Sequence, residues 1–247
     1  MRMKALAALA IVAGALGVTA VNAGATPHKW DHAPAPKPPT TSTVYVTHGL
    51  PLDNQGTKVD VYVNGALTLD DFTFGTTAGP LQLPAATYDV EVRTPDGVTT
   101  LIQKDIAVPG TGNFSIVASF IDAAGTPGLN VFANDVSKVG FGAGRLALHH
   151  AAAAPAVDVK LGLWPFSRRF DALKFTAAAG AQNGAQAALV LPSFFRYTVD
   201  VNAAGTSTTV LSLDKVKVPS KTLTNAYVVG SLAGGTLQVI TSSIPLR

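Results

Sequence analysis

Residues 44–65 read VYVTHGLPLDNQGTKVDVYVNG. An apolar start ends at His48, and a polar loop follows. Val59, Val61 and Val63 then alternate with Asp60 and Tyr62, and Asn64-Gly65 closes the run. Alternation at period two marks a half-buried strand. Asn-Gly is the strongest short hairpin signal, because both residues accept a positive φ. About one hundred residues later the pattern returns as RLALHHAAAAPAVDVKLG, residues 145–162. His48 aligns with His149, and Val59-Asp60-Val61 aligns with Val157-Asp158-Val159, across a loop three residues shorter. The chain reads as a tandem repeat of one β domain.

Composition agrees with strands. Of 247 residues, 47% are hydrophobic and only 13% charged. Glu91 is the sole Glu, and the long Glu, Lys, Gln and Leu runs that stabilise helices are missing. The sequence has no Cys, so disulfides and thiolate metal sites are excluded. Apart from Arg168-Arg169 and Lys215, Lys217 and Lys221, basic residues are scattered. A nucleic-acid footprint needs a denser basic stripe, so no nucleic-acid partner is expected.

Residues 1–23, MRMKALAALAIVAGALGVTAVNA, join a short basic start to an apolar run and small-residue cleavage positions. This is the pattern of a secretory signal peptide. Removing Arg2 and Lys4 with it takes 18 Lys+Arg to 16, against 15 Asp+Glu. Residues 24–42 alternate Ala with Pro and read as an extended linker. The mature protein is thus expected to be exported, secreted or held at the cell surface, with no transmembrane segment. His28, Asp31 and His32 lie close in this linker, but ordering a flexible segment opposes metal binding, and no cofactor or metal is expected.

Repeat one, residues 43–139, continues with Leu81-Gln82-Leu83-Pro84 and with TYDVEVR, residues 87–93. There Tyr88, Val90 and Val92 are predicted to point inward. Repeat two, residues 140–247, echoes these as Leu189-Val190-Leu191-Pro192 and RYTVDV, so Tyr197 matches Tyr88. Both Tyr residues read as core anchors whose hydroxyls bond backbone. No amphipathic helix lies between strands to carry parallel crossovers. About seven strands per repeat predicts an all-β fold of two tandem immunoglobulin-like antiparallel β-sandwich domains.

The residues VYVTHG, VDVYVNG and LQLPAATYDVEV, with RLALHHAAAAPAVDVKL and LVLPSFFRYTVDV, resemble the secreted prokaryotic domains of domain-of-unknown-function family 4397. The resemblance implies exported tandem sandwiches and no assigned reaction. The chain departs from the family pattern at the Ala151–Ala154 stretch, read as a loop stripped of polar groups, and at Ser193-Phe194, which replaces Ala-Gly.

The repeated polar residues are His48 with Asp60 and His149 with Asp158. A His–Asp pair could orient an imidazole for base catalysis, but no nucleophile accompanies it in both repeats. The pairs are read as structural, each His ending a strand and bonding a neighbouring strand or its Asp. Asp53, Asn54, Gln55 and Asp60 offer oxygen ligands for calcium but lack EF-hand spacing, and read as a solvated turn. In repeat two, Trp164, Phe166, Arg168, Arg169 and Phe170 replace the tight hairpin. Aromatic and Arg residues dominate interface hot spots, so this segment is the candidate partner or glycan contact. Trp164 and Phe166 are expected to lean inward and the two Arg outward. The chain is therefore expected to be a non-catalytic, adhesin-like binding or structural module of the cell envelope. A carbohydrate-binding module using residues 164–170 is the alternative. A hydrolase is disfavoured, since a glycosidase needs two facing carboxylates.

Overall fold

In the computed structural model the regular elements among the described residues are all strands. It describes residues 40–51, 58–165, 169–173 and 183–247, the 169–173 stretch as backbone only. Repeat one supplies β1 (Thr41–His48), β2 (Lys58–Val63), β3 (Ala66–Thr73), β4 (Thr77–Pro84), β5 (Ala86–Arg93), β6 (Thr100–Val108), β7 (Gly112–Phe120) and β8 (Pro127–Ala133). Repeat two supplies β9 (Ala143–Ala153), β10 (Val157–Trp164), β11 (Arg169–Leu173), β12 (Gln186–Pro192), β13 (Arg196–Ala203), β14 (Thr209–Lys217), β15 (Thr222–Ser231) and β16 (Gln238–Pro245). The Asn64-Gly65 hairpin forms as predicted, with φ of 51° and 77° at its two central residues. No helix among the described residues is long and apolar enough to cross a membrane.

The strands make four four-stranded sheets. In repeat one the orders are β4-β1-β7-β8 and β3-β2-β5-β6; in repeat two they are β12-β9-β15-β16 and β11-β10-β13-β14. The expected all-antiparallel pairing is not complete. β1 runs parallel to β7, and β9 parallel to β15, so each repeat contains one mixed sheet. Sequence-remote strands meet in these pairs, which alternation alone cannot orient.

Each repeat has its own core between its two sheets. Val44, Val59, Val61, Tyr88, Val90, Val92 and Ile116 fill the first, and Leu146, Leu148, Val159, Leu161, Tyr197, Val199 and Val228 the second. A third cluster joins the repeats: Val117 and Phe132 pack with Ala151, Tyr227, Val229 and Ile240. β15 shows the consequence. Ala226 and Val228 face the repeat-two core, while Tyr227 and Val229 face repeat one. Its sequence, TLTNAYVVGS, accordingly lacks polar alternation, as expected of a strand covered on both faces.

The Ala stretch corrects the sequence reading. Ala151, Ala152 and Ala153 are not loop but the end of β9, paired with Val229, Gly230 and Ser231. Ala151 packs in the inter-repeat cluster and Ala152 in the repeat-two core, both fully buried. An unbroken Ala run has no period, so it hides a strand whose two faces are both inside. Small side chains let the layers approach there. Gly49 does the same across the join, since a Cβ at that position would lie 2.8 Å from Val229 Cγ1.

Candidate functional site

His48 ends β1 and is completely buried. Neither ring nitrogen has a hydrogen-bond partner among the described residues. Its neighbours are aromatic, with the Phe72 and Phe74 rings at 6.0 and 5.7 Å. Burial without a compensating charge holds its pKa down at about 4, so the imidazole is neutral. Asp60 faces elsewhere: its Oδ1 accepts the Asp71 amide at 3.0 Å. Of the two partners expected for the ring, a neighbouring strand or Asp60, the bond to Asp60 is not made.

His149 likewise stays apart from Asp158. Its Nε2 lies 3.2 Å from Asn225 Oδ1, while Asp158 Oδ2 accepts the Gly205 amide at 2.8 Å. The ring stacks on Tyr227 at 4.6 Å and touches Phe132 of repeat one at 4.5 Å. Asn225 Nδ2 donates in turn to Asn134 Oδ1 at 3.2 Å. His149 is thus part of the join between repeats, and burial lowers its pKa to about 4.

The alignment of His48 with His149 is corrected by one residue. The His48 amide donates to Thr76 O at 3.1 Å, and its carbonyl accepts the Gly75 amide at 2.8 Å. In repeat two the same two bonds are made by His150, to Ala185 O at 3.0 Å and from the Gly184 amide at 2.8 Å. Gly75 and Gly184 both take positive φ, 79° and 83°. Counting back from the Leu-Pro strands gives the same answer, with Pro84 opposite Thr41 and Pro192 opposite Ala143. A one-residue slip turns a strand residue to the other face. His150 therefore takes the place of His48, and its Nε2 donates to Pro155 O at 3.1 Å. Burial lowers its pKa as well.

The Tyr anchors behave as expected. Tyr88 donates to Pro84 O at 3.1 Å and Tyr197 to Pro192 O at 2.7 Å. The sole Glu is also engaged: Glu91 Oε2 accepts from Arg93 Nε at 2.9 Å and Nη2 at 2.7 Å. Among the described residues no group of three His, Cys, Asp or Glu is placed to hold a metal ion. His28, Asp31, His32, Asp53, Asn54, Gln55, Phe166 and Arg168 lie outside the described residues. Arg169 and Phe170 are described by their backbone, which pairs with Gly162 and Leu161.

Trp164 does not lean inward. It is 38% exposed at the end of β10, with Lys215 Nζ 5.1 Å from its ring centroid. β10 is at its limit there, and Trp164 pairs with Arg196, which pairs with Lys217 of β14. This end of repeat two also carries residues that the sequence reading passed over. Phe194 is 74% exposed and Phe195 40%, and Phe141 is fully exposed. The Phe194 and Phe195 rings sit 4.3 Å apart at 50°. Ser193 ties the two loops together, its amide and hydroxyl both donating to Gly142 O at 2.8 and 2.9 Å. The sequence signal is the Phe194-Phe195 pair itself, directly before the strand that starts at Arg196. Two adjacent Phe in a turn cannot both face a core.

A model of a domain of unknown function (DUF4397) matches residues 42–160. The resemblance to that family is shown over this span. The DUF4397 match covers repeat one and runs through β9 into VDVK of β10, stopping short of Trp164 and the aromatic end. No curated protein matches the chain. Among solved structures, a candidate cell adhesion protein from Bacteroides uniformis is similar at 12% identity and a TM-score of 0.29, covering 84% of this chain and 98% of that one. The family-26 carbohydrate-binding module of Eubacterium rectale, solved with maltoheptaose, is similar at 12% identity and a TM-score of 0.25, covering 83% and 97%. A candidate cell adhesion protein from Bacteroides ovatus stands at 8% identity and 0.28, covering 85% and 99%.

Proposed function

We propose that this chain is an exported, non-catalytic recognition module of the cell envelope. In this reading residues 1–23 are a cleaved signal peptide and 24–42 a linker. Residues 43–139 and 140–247 are tandem immunoglobulin-like sandwiches presenting a binding surface. The observation that carries the reading is the contrast between the two kinds of candidate residue. The His side chains and Asp60 are buried, and both Asp60 and Asp158 are committed to backbone amides. The exposed aromatic side chains gather at one end of repeat two, beside basic strands. Contiguous exposed apolar surface rimmed by polar residues marks an interaction site.

Trp164 favours a second reading, a carbohydrate-binding module. Its ring is partly exposed, and a sugar face could stack on it where Lys215 now lies. The test is binding of residues 24–247 to purified envelope glycans and to whole cells, beside a Trp164→Ala/Arg168→Ala variant. Loss of glycan binding in the variant supports the carbohydrate reading. Cell binding that survives in the variant keeps the recognition module and moves its contact away from Trp164. No binding to cells or glycans by either chain would overturn the recognition reading.

A further inference from the structure

The loops 141–142 and 193–195 form one apolar prominence, because Ser193 fastens them through Gly142 O. Phe141 and Phe194 stand almost wholly in water, and Phe195 braces Phe194. Basic residues stand at the same strand ends. Arg196 follows Phe195 directly and pairs across the sheet with Lys217. Lys221 is exposed, and its amide donates to Ala143 O at 2.8 Å, next to the Phe141 loop. Asp214, an acidic side chain on the neighbouring strand end, accepts from Thr198 Oγ1 at 3.0 Å.

We infer that this prominence is a membrane-docking tip, with the three Phe entering the interfacial layer of an anionic phospholipid bilayer while Arg196, Lys217 and Lys221 meet its headgroups. The inference rests on the recognition-module reading and names the partner of its exposed end. Two observations favour a bilayer over a glycan. The Phe194 and Phe195 rings are tilted by 50°, so they make no flat platform for a sugar face. Phe also lacks the polar handle with which Trp and Tyr hydrogen-bond a sugar, and its burial is purely apolar. An apolar tip with basic residues at its strand ends is complementary to a surface that is oily inside and negative outside.

The experiment is sedimentation of residues 24–247 with vesicles, a chain that keeps every described element. Vesicles of phosphatidylglycerol mixed with phosphatidylcholine are compared with phosphatidylcholine alone and with soluble dextran sulfate. The chain is expected to bind the anionic vesicles best, and added salt is expected to weaken binding. Phe194→Ser and Phe141→Ser are each expected to lower the vesicle partition coefficient by about tenfold. Lys217→Glu/Lys221→Glu is expected to lower it about tenfold or more on anionic vesicles alone. These residues are exposed, so unchanged thermal unfolding of the variants is the check that folding is intact. No binding of the unsubstituted chain to anionic vesicles overturns the inference. So does vesicle binding that ignores the Phe variants, or Phe-dependent capture of dextran sulfate without vesicle binding. If vesicles fail while whole cells are still bound, only the membrane partner is lost; if both fail, the recognition reading falls with it.

Discussion

His48 and His150 occupy the same backbone position in the two repeats, each giving its amide to the residue after a positive-φ glycine and accepting that glycine's amide. Their rings have different surroundings. His150 has a carbonyl partner, and among the described residues His48 has no hydrogen-bond partner and meets the Phe72 and Phe74 rings. The third histidine, His149, has moved to the join between repeats. All three are buried and held neutral.

Acid should therefore destabilise the fold. A His whose folded pKa lies below its unfolded value binds more protons when unfolded. Its stability contribution is intact above about pH 6.5 and is lost as pH falls from there to the folded pKa, about 4 for His48 and His149. At pH 5 the loss is about 2 kcal/mol for each of these two. His48→Leu also removes two unpartnered ring nitrogens from an apolar site. The variant is expected to match or exceed the parent at pH 7.5 and to exceed it by about 2 kcal/mol more at pH 5. Urea unfolding at the two pH values checks this, and equal losses of stability in parent and variant would refute it.

The two Tyr anchors should contribute independently. Tyr88→Phe and Tyr197→Phe each remove one hydroxyl-to-carbonyl bond. Each is expected to cost about 1 kcal/mol, and the double variant about the sum, since the sites lie in different repeats. Denaturant midpoints of the three variants decide it.

Much of this was legible in the chain before any coordinates. Val59, Val61 and Val63 announced a strand, Asn64-Gly65 its turn, and Tyr88 and Tyr197 their carbonyls through the Leu-Pro strands. The strand and register errors share one cause, burial on both faces. Ala151–Ala153 and Ala226–Val229 have no polar alternation because one repeat covers one side and the other repeat the other. Register then loses its marker, and His149 was aligned where His150 belongs. Trp164 reads as an inward aromatic, yet β10 ends at it and leaves it at the rim. Phe141, Phe194 and Phe195 lie between strands, where period-two alternation does not place a side chain.

The join should be tight at Gly49. A Cβ there would meet Val229 Cγ1 at 2.8 Å and Ala118 O at 3.3 Å. Gly49→Ala is expected to cost about 1–3 kcal/mol through overpacking. In a Val229→Ala background the cost should shrink, because the facing methyl is gone. A double-mutant cycle by thermal unfolding measures the coupling, and additive effects would show that the residues do not meet.

The most direct test of the central claim is a whole-cell binding isotherm for residues 24–247, beside a chain carrying Phe141→Ser, Phe194→Ser and Trp164→Ala. If the aromatic end of repeat two is the recognition surface, the parent saturates the cells and the variant, folded to the same melting temperature, loses most of that binding. Equal binding by a folded variant would contradict it and place recognition elsewhere on the chain.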